Sequence, residues 1–454
     1  MKNTNEVNAT VLEVSIDGDS LRRVLAAAIS FSKGFAVSKK DEDKSYIAFK
    51  ADETGLCIIN RYYDKCTVHV KTPIEGGGIK VIKAGEFITT LKAATILSKR
   101  INGDALYTLK GTDNYLFAGV EDMSLHLPSK RKSELVSLPD AYAPIDTSEN
   151  QITVNAEDLK DLLGKTLHAV ADSTWARPVY KCVNFHAENG HLCLTATDGG
   201  SVATAACKCI GGSVNYNIYA KPLKAIKSLL GKNQTASLTF PDEGNYATIE
   251  ITEFATKTSA TDESASTFNL TLNVLLYTAE ALPCIEPLID DASTTPVFAT
   301  VIKEELARAI NLAAPFADEH QSVLLRLEQP DTLVISARNP DLGRATINIE
   351  AWKPSGAFKA RFNIKYLLDL LNSFATKHEV MSFKIKGKIC TKTVNRTPIK
   401  LLFTRNGVAA FKDESTFKEE QFCMIAAIRG TLTLSALPSQ SESATTIEPI
   451  TITA

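Results

Sequence analysis

Asp198, His186 and His191 are the side chains in this chain whose types and proximity most resemble an acid-base pair with a helper. Their surroundings argue against catalysis. His186 and His191 flank a hairpin turn, where side chains meet water, and Asp198 opens a Thr-Asp-Gly-Gly turn. No nucleotide-binding loop, zinc-binding His-Glu pair or nucleophile elbow accompanies them. Gly76, Gly77 and Gly78 lie between strands, without the helix start that turns a glycine run into a phosphate cradle. The cysteines are Cys57, Cys66, Cys182, Cys193, Cys207, Cys209, Cys284, Cys390 and Cys423. Several fall at alternating strand positions, where Cys acts as a small buried apolar residue. Only Cys207 and Cys209 are close-set, and no second pair completes a four-ligand zinc site. The expectation is a protein with no catalytic residue, no metal and no cofactor.

The elements around these residues are written three times. Residues 183–209 read as strand, turn, strand, break, strand, with Val183, Phe185 and Ala187 on the face shared by Leu192, Leu194 and Ala196. Residues 46–70 and 323–349 follow the same order, at a spacing that suits a repeated domain and is too long for a solenoid. Helical periodicity predicts helices at 21–33, 86–101, 156–170, 220–232, 304–315 and 363–377, two per repeat. In the last repeat, strands are expected at 297–302, 380–386, 399–405 and 421–428. The organisation read from this is domain 1 (1–128), linker (129–150), domain 2 (151–290), domain 3 (291–430) and a disordered Ser/Thr/Pro-rich tail (431–454). The fold class is α+β: three pseudo-repeated domains, each two helices backed by antiparallel sheets. Like units joined head to tail close into a ring or run on as a filament.

Composition sets the outer bounds. A chain of 454 residues, 44% of them apolar, can bury a core in each repeat. No apolar run reaches the roughly 18 residues a membrane span requires, and the polar start is no signal peptide, so a cytoplasmic protein without membrane attachment is expected. A net charge of −2 argues against a nucleic-acid partner until its distribution is considered.

The sequence resembles the bacterial DNA polymerase III β subunit, the processivity sliding clamp. The segment Ala196-Thr-Asp-Gly-Gly-Ser-Val-Ala203 stands where that family typically has Ala-Thr-Asp-Gly-His-Arg-Leu-Ala. Supporting pieces are Arg177 with Val183-Asn-Phe-His186, Leu306-Ala-Arg-Ala-Ile310, Ala337-Arg-Asn-Pro340 and Phe362 through Asn372. The resemblance covers about residues 10–430 and implies a non-catalytic ring, half of it from one chain, that encircles duplex DNA without reading sequence. Implied partners are a second copy as a homodimer, the replicative polymerase, the clamp loader and other proteins carrying a clamp-binding motif. The chain departs from the family at Gly200 and Ser201, and in the long tail after Met424-Ile-Ala-Ala-Ile-Arg429.

Charge placement agrees with a ring around phosphate. The helical windows 21–33, 86–101, 156–170, 220–232, 303–316 and 363–377 together carry about +9, leaving roughly −11 elsewhere. Expected DNA-facing residues are Arg22, Arg23, Lys92, Lys99, Arg100, Arg177, Lys221, Lys224 and Lys227. By family position, the partner-peptide cleft takes Tyr180, Thr197, Gly199, Gly200, Ser201 and Val202, with Pro283, Leu288, Met424, Ile425, Ala426 and Arg429. The dimer interface takes Met123, Leu125 and Leu312. Two other readings stay open on sequence alone: a ring-shaped scaffold that has lost DNA binding, and an enzyme with an unrecognised site.

Overall fold

The computed structural model describes residues 10–35, 46–62, 66–73, 79–112, 115–120, 123–128, 150–173, 176–242, 245–253, 269–283, 297–329, 331–352, 356–374, 378–385, 388–395, 398–403, 408–413, 422–426 and 433–435. They fall into two compact units. One comprises Met1–Ala196 with Ala206–Leu282, the other Thr197–Ala205 with Pro283–Ala454. Among the described residues there are six α-helices: α1 (Gly18–Phe35), α2 (Leu91–Arg100), α3 (Ala156–Thr166), α4 (Ala220–Lys227), α5 (Lys303–Ala313) and α6 (Ile364–Ser373). None is long and apolar enough to cross a membrane.

Each helix starts where a strand stops, and the junction residue usually caps it. Asp17 accepts from the Ser20 amide at 2.8 Å, Thr90 from Ala93 at 3.2 Å, Asn155 from Glu157 at 2.8 Å and Asn363 from Lys365 at 3.0 Å. These side chains satisfy amides that the first helical turn leaves without partners. The predicted helix 86–101 begins only at Leu91, because Gly85–Thr90 is a strand paired with Tyr46–Asp52. Phe87, Ile88, Thr89 and Thr90 are aromatic or β-branched and favour extended backbone. Gly85 also lies so close to the Val11 carbonyl that a Cβ there would collide with it. Gly211 meets the Gln151 carbonyl in the same way in the second repeat.

The three repeats share one pairing scheme. In each, the first strand pairs with the strand that follows the second helix: Thr10–Asp17 with Leu106–Thr112, Gln151–Asn155 with Gln234–Thr239, and Val297–Ile302 with Pro398–Phe403. Two further antiparallel strands follow on that side of each sheet, ending at Met123–Pro128, Asn269–Tyr277 and Phe422–Ala426, while Ile79–Lys83 and Ile210–Gly211 pair with the other side of the first strand in the first two repeats. The hairpin regions start with Tyr46–Asp52, Cys182–Glu188 and Ser322–Gln329. The third strand of a hairpin region then joins the last strand of the following repeat. In the first unit Cys66–Pro73 pairs with Asn269–Tyr277, with Val70 opposite Leu270. In the second unit Ser201 through Thr204 pair with Phe422 through Ile425. The remaining counterparts, Gly343–Glu350 and Met123–Pro128, each lie at the edge of a five-stranded sheet.

The third repeat has two additions. His378–Ile385 and Lys388–Asn395 form a separate two-stranded sheet between α6 and Pro398–Phe403, where the first two repeats have no strand. Periodicity located the first of these strands and missed the second. Thr433–Ser435 adds a strand beside Ala357–Asn363, so these three residues of the expected tail are ordered. The rest of 431–454, and the expected linker apart from Asn150, lie outside the described residues.

The core of the first unit buries Leu21, Val24, Leu25 and Ala28 of α1 together with Phe49, Tyr107, Phe185 and Phe240. Buried Asn60 donates to the Ala28 carbonyl at 2.8 Å, so the strand holds the helix by a satisfied polar contact as well as by packing. In the second unit Lys303 is only 7% exposed, and its ammonium donates to the Phe374 carbonyl just past the end of α6 at 2.8 Å. This bond ties the start of α5 to the end of α6.

Asp318 fastens the turn after α5 to the sheet. It accepts from the Ser322 amide at 3.0 Å and the Ser322 hydroxyl at 2.7 Å, with Arg361 at 3.4 Å. Burial pushes this carboxyl up, but the Ser322 hydrogen bonds and the charges of Arg361 and His320 outweigh it and hold it below the usual value. A carboxyl lowered in the fold stabilises above its unfolded pKa, and that contribution disappears as pH falls through the folded value. Asp318→Asn is therefore expected to cost about 1–2 kcal/mol at pH 7. Denaturant unfolding at a series of pH values should show the gap between variant and parent closing below about pH 4.

Candidate nucleic-acid surface and peptide cleft

In the first unit the helices pack side by side in the order α2, α1, α4, α3. Each turns an apolar face to the sheets: Leu91, Ala94 and Leu97 in α2, Leu223 and Ile226 in α4, and Leu159, Leu162 and Leu163 in α3. The opposite faces carry the cations. Arg22, Arg23, Lys92, Lys99, Arg100, Lys221 and Lys224 are exposed and Lys227 is half-buried. Since Glu86 belongs to a strand, every charged residue of α2 is a cation: Lys92, Lys99 and Arg100. The last two sit at the helix C-terminus, where the backbone dipole favours positive charge. Some of the cations have acidic neighbours: Arg22 pairs with Asp19, and Lys224 with Asp172 at 3.2 Å. The row is not uniformly basic, because α3 exposes Glu157, Asp158 and Asp161.

Arg177 stands off this row. It precedes the 3-10 turn Pro178–Lys181, ion-pairs with Glu280 and lies over the Tyr180 ring at 5.5 Å. The guanidinium thus has a structural task that its sequence position did not reveal. Arg308 in α5, outside the expected DNA-facing set, is exposed on a groove between α5 and α6 that also takes Asn311, Leu312 and Asn372.

The cleft residues 197–202 are organised by Asp198. One of its carboxylate oxygens accepts from the Gly200 amide at 2.9 Å, the Ser201 amide at 2.7 Å and the Ser201 hydroxyl at 2.9 Å. Thr197 donates its hydroxyl to the Ser201 carbonyl at 2.6 Å and accepts from the Gly199 amide at 3.1 Å. Gly199 has φ +89°, in the left-handed region. Asp198 is accordingly a turn-former, and Thr197 and Ser201 are buried within the turn. The strand leaving it places Val202 opposite Met424 and Ser201 opposite Ile425, with Ala426 opposite Val408 on the other side of that strand.

Gly200 is the open position of this surface. A Cβ there would lie 3.6 Å from Asp198 Oδ1 and 4.0 Å from the Tyr366 ring, both ordinary contacts. Tyr366 of α6, beside this position, is 37% exposed. Its neighbourhood with Gly200 is visible only in three dimensions. Pro283 is exposed and Tyr180 half-buried, while Leu288 and Arg429 lie outside the described residues.

The expected interface residues Met123 and Leu125 fall in the edge strand Met123–Pro128, where Leu125 is half-buried opposite Ala118. Leu312, near the end of α5, is 57% exposed, and Leu342, just before the edge strand Gly343–Glu350, is 64% exposed. α5 packs against that same edge strand. Leu342 was not singled out in sequence, where it reads as an ordinary turn residue.

His186 and His191 are exposed, with His186 beside Glu188 at 3.6 Å. Burial pushes the Cys182 thiol up to about 12, which leaves it protonated and unreactive. Among the described residues no group of three His, Cys, Asp or Glu side chains is placed to hold a metal ion.

Residues 295–392 match the family model of the DNA polymerase III beta subunit, C-terminal domain. No curated protein sequence matches the chain. Among solved structures, the DNA polymerase sliding clamp of Bacillus subtilis superposes with a TM-score of 0.71 at 18% identity, covering 92% of this chain and 100% of that one. The DNA polymerase III beta subunit of Thermotoga maritima gives 0.71 at 15% identity, covering 92% and 99%. The sliding clamp of Pseudomonas aeruginosa, solved bound to griselimycin, gives 0.71 at 13% identity, covering 92% and 100%. The chain has the fold of the bacterial β sliding clamps, and its 295–392 segment is similar to that subunit's C-terminal domain.

Proposed function

We propose that two copies of this chain close head to tail into a ring around duplex DNA and hold a replicative polymerase on its template. The observation that carries this reading is the repeated strand pairing. Twice within the chain, the third hairpin strand of one repeat pairs with the last strand of the next. One strand of each kind is left at a sheet edge, Gly343–Glu350 and Met123–Pro128, and exposed edges seek partners. Pairing them between two copies repeats the same step and closes a six-repeat ring. Leu312 and Leu342 supply apolar surface beside one of these edges. In a ring the exposed cations of α1, α2 and α4 would meet phosphate through loose, salt-sensitive contacts without base readout. Processivity then comes from topology, since a closed ring leaves DNA only by opening. The turn at 197–201 and its paired strand would take extended peptides with apolar anchors from polymerase, clamp loader and other clamp-binding proteins.

The mass in solution should be near twice 49.3 kDa, and Leu125→Asp should reduce it to the single-chain value. After loading on nicked circular DNA, the protein should stay bound until the circle is linearised. Retention indifferent to free ends would mean ordinary DNA binding, and no retention even with a loader would mean a scaffold. In the cleft, Gly200→Trp should weaken a clamp-binding peptide by tenfold or more (about 1.4 kcal/mol) in a fluorescence titration while leaving circular retention intact. Gly199→Ala, forced into the left-handed region, should cost about 1–3 kcal/mol in a thermal melt. Gly200→Ala, which meets only ordinary contacts, should stay within about 0.5 kcal/mol of the parent.

A further inference from the structure

The helices of the first unit follow a rule of their own. Along the row α2, α1, α4, α3, second and first helices alternate, and the joint between the two repeats sets α1 against α4. The first helix of one repeat thus meets the second helix of the next. In the other unit α5 and α6, the first and second helices of the third repeat, pack together as α1 and α2 do.

Counterpart positions show how residue choice follows that joint. The buried residues Leu21, Val24, Leu25 and Ala28 of α1 recur at the same spacing in α5 as Leu306, Ala309, Ile310 and Ala313. On this alignment Ala27, 8% exposed, corresponds to Leu312, 57% exposed. Likewise Ala220, Leu223 and Ile226 of α4 match Leu91, Ala94 and Leu97 of α2, so Ala225, 2% exposed, corresponds to Ile96, 46% exposed. In the two helices that meet inside the chain, both positions are buried alanines. In α2 and α5 the same two positions hold larger apolar side chains in solvent. A single exposed apolar residue is ordinary and explains nothing. Two of them, at the two matching positions of one joint, are a pair awaiting burial.

We propose that α2 of one copy packs against α5 of a second copy, with Ile96 seated beside Leu312 in the groove between α5 and α6. The choice of a second copy rests on the ring reading above, to which this contact adds a helix layer beneath the paired strand edges. The groove has a volume of about 520 Å3 and an apolar floor from Ala307, Leu312 and Leu371, which suits a branched aliphatic side chain. Within α5, Glu304 and Glu305 balance Lys303 and Arg308, so the cations of α2 approach a helix with no net charge to repel them. Ile96 is then a joint residue on a helix whose cations Lys92, Lys99 and Arg100 remain for phosphate.

The test uses the full-length chain with both Ile96→Cys and Leu312→Cys, treated with a short bismaleimide. A covalent dimer should appear on a denaturing gel, and neither single variant should give one beyond the parental background. In analytical ultracentrifugation Ile96→Asp should raise the dimer dissociation constant tenfold or more, and Leu312→Asp likewise. The double aspartate variant should fall short of the product of the two effects, because contacting residues do not act independently. Ile96→Leu should dimerise like the parent, and melting temperatures check that each variant is folded. A parent that dimerises without the cross-link, or an Ile96→Asp variant with the parental dissociation constant, overturns the helix contact and leaves the ring reading standing. A Leu312→Asp variant that dimerises normally but loses affinity for a clamp-binding peptide also overturns it, and would make the groove a site for other proteins. A parent that remains a single chain at every concentration overturns both.

Discussion

The backbone ladder between successive repeats is the interaction on which the rest of this structure depends. A sheet edge presents unpaired amides and carbonyls, and burying them unpaired is costly. Here each repeat offers one such edge from its hairpin region and accepts another with its last strand. The joints Cys66–Pro73 with Asn269–Tyr277 and Ser201 through Thr204 with the Phe422–Ala426 strand are two instances of a single geometry. Among the described residues, Gly343–Glu350 and Met123–Pro128 are the strands of each kind that lie at a sheet edge.

That ladder also explains where function can reside. In the first unit it makes one sheet from strands of two repeats, and the four helices pack as a row, their apolar faces consumed by the sheets. What those helices still present is the set of positions that packing does not use, and these are rich in Arg and Lys. A ligand with regularly spaced negative charge suits such a surface, because no single contact has to be strong or exclusive. The local ion pairs of Arg22 and Lys224 are solvent-exposed and of the kind that yields little net energy, so they do not prevent exchange for phosphate.

The turn at 197–201 is held by its own polar side chains. Asp198 and Thr197 spend their polar atoms on holding the turn, which keeps Gly199 in the left-handed region. A Cβ at Gly200 would meet only ordinary contacts with Asp198 and the Tyr366 ring. The polar groups that look chemically interesting in sequence are therefore the scaffold of the turn, and Val202 beside them is buried.

Much of this protein was legible in its residues. The threefold repeat, the two helices of each repeat and the hairpins follow from local periodicity, since apolar spacing and capping residues act within a few positions of themselves. The same local logic failed at 86–90, where helical spacing continued into residues that a neighbouring strand claims, and at the second strand of the inserted hairpin, whose alternation is blurred by lysines. The tasks of Arg177 and Asp198, the proximity of Tyr366 to Gly200, and the sheet-edge position of Gly343–Glu350, with Leu312 and Leu342 beside it, were not legible. By itself the sequence determined which segments become helix or strand and that they recur. Which strand joins which, and hence which edges stay open, was decided by contacts between residues far apart in the chain, because a hydrogen-bond ladder forms between backbones and leaves almost no mark on side-chain identity.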